Sequence, residues 1–501
     1  MEGQEQIPWQ ALRYLTGEVV YGGRVTDSWD RRCLNCILQM FYTPEILQEG
    51  HRFSADGIYH IISENMDQVQ CVNYIESLPE YDLPDIFGMH PDAEKTFLES
   101  QSQLFMETVV SIQPRLSISG QLTRGGKSSH EIVLEVALDI LKRVPRNVGD
   151  EKLPEGIERV KAPKITLAEL LTLPLWIGYV QSINGFDSLA NSALLTVLRQ
   201  EIDRFNHLLE VILKSIRSLC FAVKGQSILT VSLEEVYNSC LNMKVPKLWK
   251  LCSYESCKPL GSWIDDLIQR VNFFSTWSDN LIRVAQQKLR IIAKEQGKRL
   301  EQIMQPISEQ PGKTYQAQPC AFWLSGFFFP QGFLTAVLQN HARQHGIPVD
   351  TLTFTYYVQQ PSRDDSLVDV TRKASACDSA FSQDESNFGD GVLVFGLYLD
   401  GAHWNAVGQS IEESKPGKRY CKMPSIHFLP VKIEKNKKVD ELEEEVQEAY
   451  ECPVYRTSQR AGILSATGLS TNFVTSVILP SQHPFSHWVT RGVALLCQLD
   501  D

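Results

Sequence analysis

Cys320-Ala-Phe-Trp-Leu-Ser-Gly-Phe-Phe-Phe-Pro-Gln-Gly-Phe-Leu-Thr-Ala-Val-Leu-Gln-Asn-His341 decides how the chain divides. Six rings (Phe322, Trp323, Phe327, Phe328, Phe329 and Phe333) stand beside two glycines and a proline. Burying one such ring is worth roughly 1.5–3 kcal/mol, so the cluster is expected where two layers of the fold meet. After Gly332, Phe333, Leu334, Val337 and Leu338 recur at helical spacing up to His345, and Gly346-Ile-Pro348 stops that helix. Upstream of the run the sequence reads helical. Downstream it reads mostly as strand.

At 501 residues the chain is too long for one ordinary core, and two or three domains are expected. A hydrophobic content of 43% with 22% charged residues describes a soluble globular protein. No apolar run reaches the roughly 18 residues a membrane helix needs, and Met-Glu-Gly-Gln-Glu lacks the basic and apolar regions of a signal peptide. A cytoplasmic location without a membrane partner is therefore expected. The net charge of −12 argues against nucleic acid as a partner, because phosphate binding needs a basic face. Twelve cysteines scattered from Cys33 to Cys497 lack the regular spacing of a disulfide scaffold and read as reduced thiols.

Residues 1–146 read as a small all-helical domain. Asp27, with Asp30 three residues on, has the pattern of a helix N-cap, and Leu34, Ile37, Leu38 and Phe41 form the stripe of a helix over Trp29–Tyr42. Further helices are predicted at Asp92–Ile112 and His130–Val144. Residues 147–187, rich in proline and charge, read as a linker. Residues 188–345 form a second helical part, where Leu198, Ile202, Phe205, Leu209, Ile212, Ile216 and Leu219 step by fours and threes along one helix face. Phe205 and Lys214 suit a helix packed in its own domain better than an intermolecular zipper. Helices at Ser232–Met243, Pro246–Cys252 and Gly261–Trp277 follow, and the last runs into a basic extension at about 281–313. Residues 346–501 alternate, with strands predicted at Thr351–Val358, Val392–Leu399, Ile426–Leu429, Asn472–Leu479 and His487–Leu499, as in an antiparallel barrel or sandwich. The fold class is thus α+β.

Each local signal for chemistry has a plainer reading. In Gly120-Gln-Leu-Thr-Arg-Gly-Gly-Lys-Ser-Ser129 the lysine and serine follow a glycine as in a phosphate loop, but the first glycine is one residue out of place and no strand precedes it. A helix-capping linker fits better. Cys33-Leu-Asn-Cys36 has metal or redox spacing, yet lies on a predicted helix, and Cys252 with Cys257 does not complete a zinc knuckle. His341 and His345 lie one turn apart, but Ala342 stands where a zinc hydrolase needs glutamate. A distant Cys–His pair such as Cys320 with His403 has no local support. Arg283, Lys288, Arg290, Lys294, Lys298 and Arg299 describe a solvated helix face or a partner-docking helix. No catalytic, cofactor-binding or metal-ligating residue is assigned.

Several passages taken together resemble the C-terminal end of dynein heavy chains, the axonemal ones above all. Ile7-Pro-Trp-Gln-Ala-Leu-Arg-Tyr-Leu-Thr-Gly-Glu18 and Tyr21-Gly-Gly-Arg-Val-Thr-Asp-Ser-Trp-Asp-Arg-Arg32 are similar to the opening of the lid subdomain of the sixth AAA+ module. Ile112-Gln-Pro-Arg115, Gln200-Glu-Ile-Asp-Arg-Phe-Asn206, Val245-Pro-Lys-Leu-Trp249, Lys258-Pro-Leu-Gly-Ser262, the run Phe322–Thr335, Gly396-Leu-Tyr-Leu-Asp-Gly-Ala402, Leu464–Phe473 and His487–Asp500 follow in the family's order. The resemblance departs from the family at Thr172–Ala190, at the basic segment near Leu281–Lys313, and at Leu469, where histidine is common. It implies an all-helical AAA+ lid subdomain, then a C-terminal domain of long helices and a small antiparallel β-barrel. The implied function is a structural and regulatory part of an ATP-driven, minus-end-directed microtubule motor of cilia and flagella. ATP and magnesium would belong to modules outside this chain, which would carry no cofactor. The implied partners are the other ring modules and the dynein intermediate, light intermediate and light chains, with microtubules reached only through a stalk elsewhere. The competing readings are a stand-alone scaffold protein and, more remotely, a Cys-dependent enzyme.

Overall fold

The computed structural model describes residues 7–20; 25–112 apart from 49, 55 and 63–65; 128–147; 193–295; 318–359 apart from 320; 391–433 apart from 416 and 417; 449–460; and 470–500. The 147–187 segment beyond its first residue, most of the 120–128 loop, Cys320 and Leu469 lie outside them.

The first helices form where the capping chemistry puts them. Asp27 accepts the Trp29 and Asp30 N–H groups at 2.8 and 3.2 Å and starts helix Ser28–Phe41, which buries Cys36 and Leu38. Ser128 and Glu131 close a reciprocal capping box, Glu131 N–H to Ser128 Oγ at 3.3 Å and Ser128 N–H to Glu131 Oε2 at 2.8 Å, at the start of helix Ser129–Arg143. The only described residues of the glycine-rich loop are therefore engaged in starting a helix. Helices Trp9–Tyr14, Gln68–Ser77 and Asp92–Ile112 also belong to this part.

The long helix Ala193–Val223 is the axis of the structure. Leu198, Phe205, Leu209, Ile212, Ile216 and Leu219 are all fully buried, and the neighbours of the helix include Ser129–Arg143, Val231–Leu241, Lys247–Lys250, Leu260–Glu295 and Pro330–His345. Its stripe serves an internal core. Helix Leu260–Glu295 continues past Trp277 without a break into the start of the basic extension.

The rings of the decisive run sit where helices meet sheet. Phe322 and Trp323 form β1 (Phe322–Trp323), paired with β3 (Val392–Phe395), while Phe327 stacks on Phe333 at 4.5 Å and Phe328 meets Phe205 edge-on at 4.6 Å. Phe329 is the exception, 47% exposed. Three ladders follow. One has the order β1-β3-β8-β2, with β2 Leu352–Val358 and β8 Ile426–Lys432; the second is β10-β9-β11-β4-β7, from Phe473–Pro480, Ala449–Tyr455, Ala494–Leu496, Tyr398–Asp400 and Tyr420–Lys422; the third is the hairpin β5 Ala402–Asn405 with β6 Ser410–Glu413.

Three expectations need correction. The pairing is mixed rather than wholly antiparallel, since β1 lies parallel to β3 and β9 parallel to β11. The expected strand Val392–Leu399 is two strands in different sheets, β3 and β4, parted at Gly396 with φ +84°. His487–Leu499 is not one strand: Phe485–Thr490 is helical behind Pro484, and only Ala494–Leu496 pairs as β11. Trp, Val and Thr favour strands, but the helical turn buries Trp488 completely, with its Nε1–H donating to Ser481 Oγ at 2.6 Å.

Candidate functional site

The charged side chains that the fold buries are spent on joining distant segments. Arg270, 1% exposed on helix Leu260–Glu295, pairs through Nε with Asp266 at 2.6 Å, donates to the Ser325 carbonyl of the aromatic run and reaches Gln498 Oε1 at 3.2 Å. Its guanidinium lies 3.8 Å from the ring centre of Tyr254 and 5.3 Å from that of Trp323. Burial works against ionisation of Asp266, but Arg270 and Lys258 outweigh it and hold the carboxyl below its usual range. Glu201, also buried, accepts the N–H groups of Phe328 at 2.7 Å and Phe329 at 3.2 Å and so pins the aromatic turn to the long helix. Its carboxyl is raised by burial, against the pull of those two N–H groups and Arg204.

A second set fastens the N-terminal helices to the sheets. Arg32 donates to the Glu451 carbonyl at 2.8 Å and lies between the rings of Trp29 and Tyr450, 4.2 and 5.4 Å from their centres. Trp29 packs on Phe473 at 5.5 Å, and Asp27, besides capping its helix, accepts the Ser470 N–H at 3.2 Å. Buried Asp400 binds Arg419 at 3.0 Å and Arg460 at 2.6 Å, while Arg419 also reaches Glu99 on helix Asp92–Ile112 at 2.6 Å. The Arg32–Glu451 bond is exposed and, like the Arg419–Glu99 pair, is worth about 1 kcal/mol or less. Arg32 adds its two ring contacts to that bond, and Arg419 adds its pairing with Asp400.

The residues singled out for chemistry do not converge. Cys36 is buried and its thiol is pushed up to about 11, mainly by burial, while burial also raises Cys33, so neither is poised as a thiolate. Cys252 and Cys257 are free, partly buried thiols likewise raised by burial. His341 and His345 share a helix with ring centres 4.3 Å apart. Among the described residues no group of three His, Cys, Asp or Glu side chains could hold a metal, and no helix is long and apolar enough to cross a membrane. His403, half-buried, lines a cleft of about 210 Å³ with Lys415, Lys418, Tyr420, Cys421 and Lys422; burial, then Lys415, pushes its imidazole down. The side chains of the basic extension beyond Val284 lie outside the described set. Arg270, Asp266 and Arg32 carry no signal in the sequence alone. An i,i+4 acid–base pair on a helix looks the same whether solvated or buried, and Arg32 finds its carbonyl 419 positions away.

The sequence that folds this way is similar to known proteins over nearly its whole length. The AAA lid domain of dynein heavy chains matches residues 1–93, and the C-terminal domain of dynein heavy chains matches residues 99–497. Human dynein axonemal heavy chain 6 is 38% identical over 499 residues, covering 99% of this chain and 10% of that protein. Human dynein axonemal heavy chain 14 is 40% identical over 437 residues, covering 86% and 12%, and rat dynein axonemal heavy chain 1 is 37% identical over 500 residues, covering 100% and 9%. The chain spans about a tenth of the length of these relatives. Two adjoining domain matches and likeness at this level across nearly every residue leave one conclusion: the chain belongs to the dynein heavy chain family.

Proposed function

We propose that the chain acts as the C-terminal brace of an axonemal dynein heavy chain, stiffening the ring of an ATP-driven, minus-end-directed microtubule motor while holding no nucleotide itself. The fastening of the first helices to the sheets through Arg32, Asp27 and Trp29 carries this reading, because it ties two parts of the polypeptide through bonds to fixed backbone groups. In this reading residues 1–93 are the lid of the sixth AAA+ module and the three ladders close as a small barrel. The partners are the other ring modules and the dynein intermediate, light intermediate and light chains, microtubules are reached through a stalk elsewhere, and the site of action is the axoneme of cilia and flagella.

Two results test it. The purified protein should show no ATP turnover above buffer, unchanged by Lys127→Ala; hydrolysis abolished by that substitution would overturn the absence of a nucleotide site. In a full-length dynein motor that includes this segment, Arg32→Ala should reduce microtubule gliding velocity out of proportion to ATP turnover. Equal velocities in variant and parent would remove the brace.

A further inference from the structure

The same junction carries a group of histidines that bracing does not use. His483 and His487 stack with ring centres 4.5 Å apart. His487 belongs to helix Phe485–Thr490, which packs against helix Ser28–Phe41. From the other side His90 donates its backbone N–H to the Thr490 carbonyl at 3.3 Å, with its Nδ1 3.4 Å from the Asp92 carboxylate. Arg491 joins the group: it binds Glu413 Oε1 at 2.8 Å, and the same oxygen lies 3.5 Å from His487 Nε2.

Charge at this spot is balanced only while the imidazoles are neutral. Arg491 and Lys95 then stand with Glu413 and Asp92, Lys95 bound to Asp92 at 2.6 Å. On the elements packed against the short helix, Arg31 is paired with Glu18 at 3.7 Å, Arg32 with the Glu451 carbonyl, and the Glu451 carboxylate with Ser476 at 2.7 Å; Asp30 lies beside Asp27. Protonating His90 and His487 would set four cations against two carboxylates, in two ion-pair groups, His90–Asp92–Lys95 on one side and His487–Glu413–Arg491 on the other, that meet across the His90–Thr490 backbone bond. Burial, then Arg491, holds both His90 and His487 below the usual imidazole range. The undocked state therefore takes up protons more readily, so the docking these groups support is complete above that range and lost as pH falls through it.

We propose that His90 and His487, set beside Arg491, form a proton-operated clasp, closed at neutral and alkaline pH and loosened in mild acid, by which acidity sets how firmly the N-terminal helices are held. The clasp rests on the reading of this junction as a brace. Hydrogen exchange of the whole protein tests both, expressed as protection factors so that the pH dependence of the exchange chemistry divides out. Between about pH 7.5 and about pH 5.5, protection in Ser28–Phe41 and Phe485–Leu496 should fall roughly tenfold, with Ala193–Val223 unchanged as internal reference. The His90→Gln/His487→Gln variant should keep neutral-pH protection and lose most of the fall. A fall of equal size in parent and variant, or none in the parent, overturns the clasp. Absence of protection in both segments of the parent at neutral pH would overturn the brace itself, and the clasp with it.

Discussion

Arg270→Met is expected to cost the purified protein about 3–5 kcal/mol of stability, the usual penalty for removing one partner of a buried pair. The substitution keeps the length of the apolar stem but leaves the Asp266 carboxylate, 5% exposed, with Lys258 at 3.4 Å as its cation, and withdraws the donors to the Ser325 carbonyl and Gln498. Three segments lose their common anchor: helix Leu260–Glu295, the aromatic run and the stretch after β11 that carries Gln498. The penalty should depend on pH in a defined direction. In the parent, Asp266 has a depressed carboxyl, so its contribution is present above the unfolded carboxylate value of about 3.9 and is lost as pH falls through the folded value. In the variant that depression is gone and burial favours the neutral acid, so the gap between the two proteins should be widest near neutrality and narrow in acid. Urea unfolding at both pH values measures it, and adding Asp266→Leu to the variant should recover a large part of the loss. A penalty under about 1 kcal/mol, or one that grows in acid, would show that the pair does not carry this load.

The sequence made legible what depends on local spacing. The stripe from Leu198 to Leu219 is buried as its fours and threes require, the Asp27 cap is made, and the aromatic run lies where helix meets sheet. What it hid depends on contacts between residues far apart in sequence. Strand β9 escapes a sequence reading because Pro453 removes a donor and argues against an inner strand. Yet β9 lies between β10 and β11, and β11 pairs only at Val454 and Tyr455, past the proline. Strands β4 to β7 have three or four residues each, too few for alternation to register. The fasteners are hidden for a different reason. Asp400 collects Arg419 and Arg460 from 19 and 60 positions away, and singly each looks like an ordinary surface charge. Domain-scale likeness supplied the family because it reads many weak positions together, whereas the polar joints become visible only once the polypeptide is folded.

Gly396→Val should be the second severe lesion, for reasons of shape rather than charge. The backbone leaves β3 in one sheet and enters β4 in another across Gly396 and Leu397, and Gly396 turns it with φ +84°. A Cβ there would stand 2.5 Å from Trp323 Cδ1 and 2.7 Å from its Nε1. The indole that would have to move is buried, 7% exposed, with the Arg270 guanidinium 5.3 Å from its ring centre. Strain from the left-handed backbone costs about 1–3 kcal/mol, and overpacking a buried ring adds about 1–3 kcal/mol. A loss of about 2–6 kcal/mol is therefore expected in urea unfolding, with near-ultraviolet circular dichroism reporting the displaced tryptophan. Gly225→Ala separates the two causes, because Gly225 has φ +72° but nothing within 4 Å of the added carbon, and should lose only about 1 kcal/mol. Were Gly396→Val no worse than Gly225→Ala, Trp323 would have to be free to move, and the aromatic run would not be the rigid seam on which the two sheets are set.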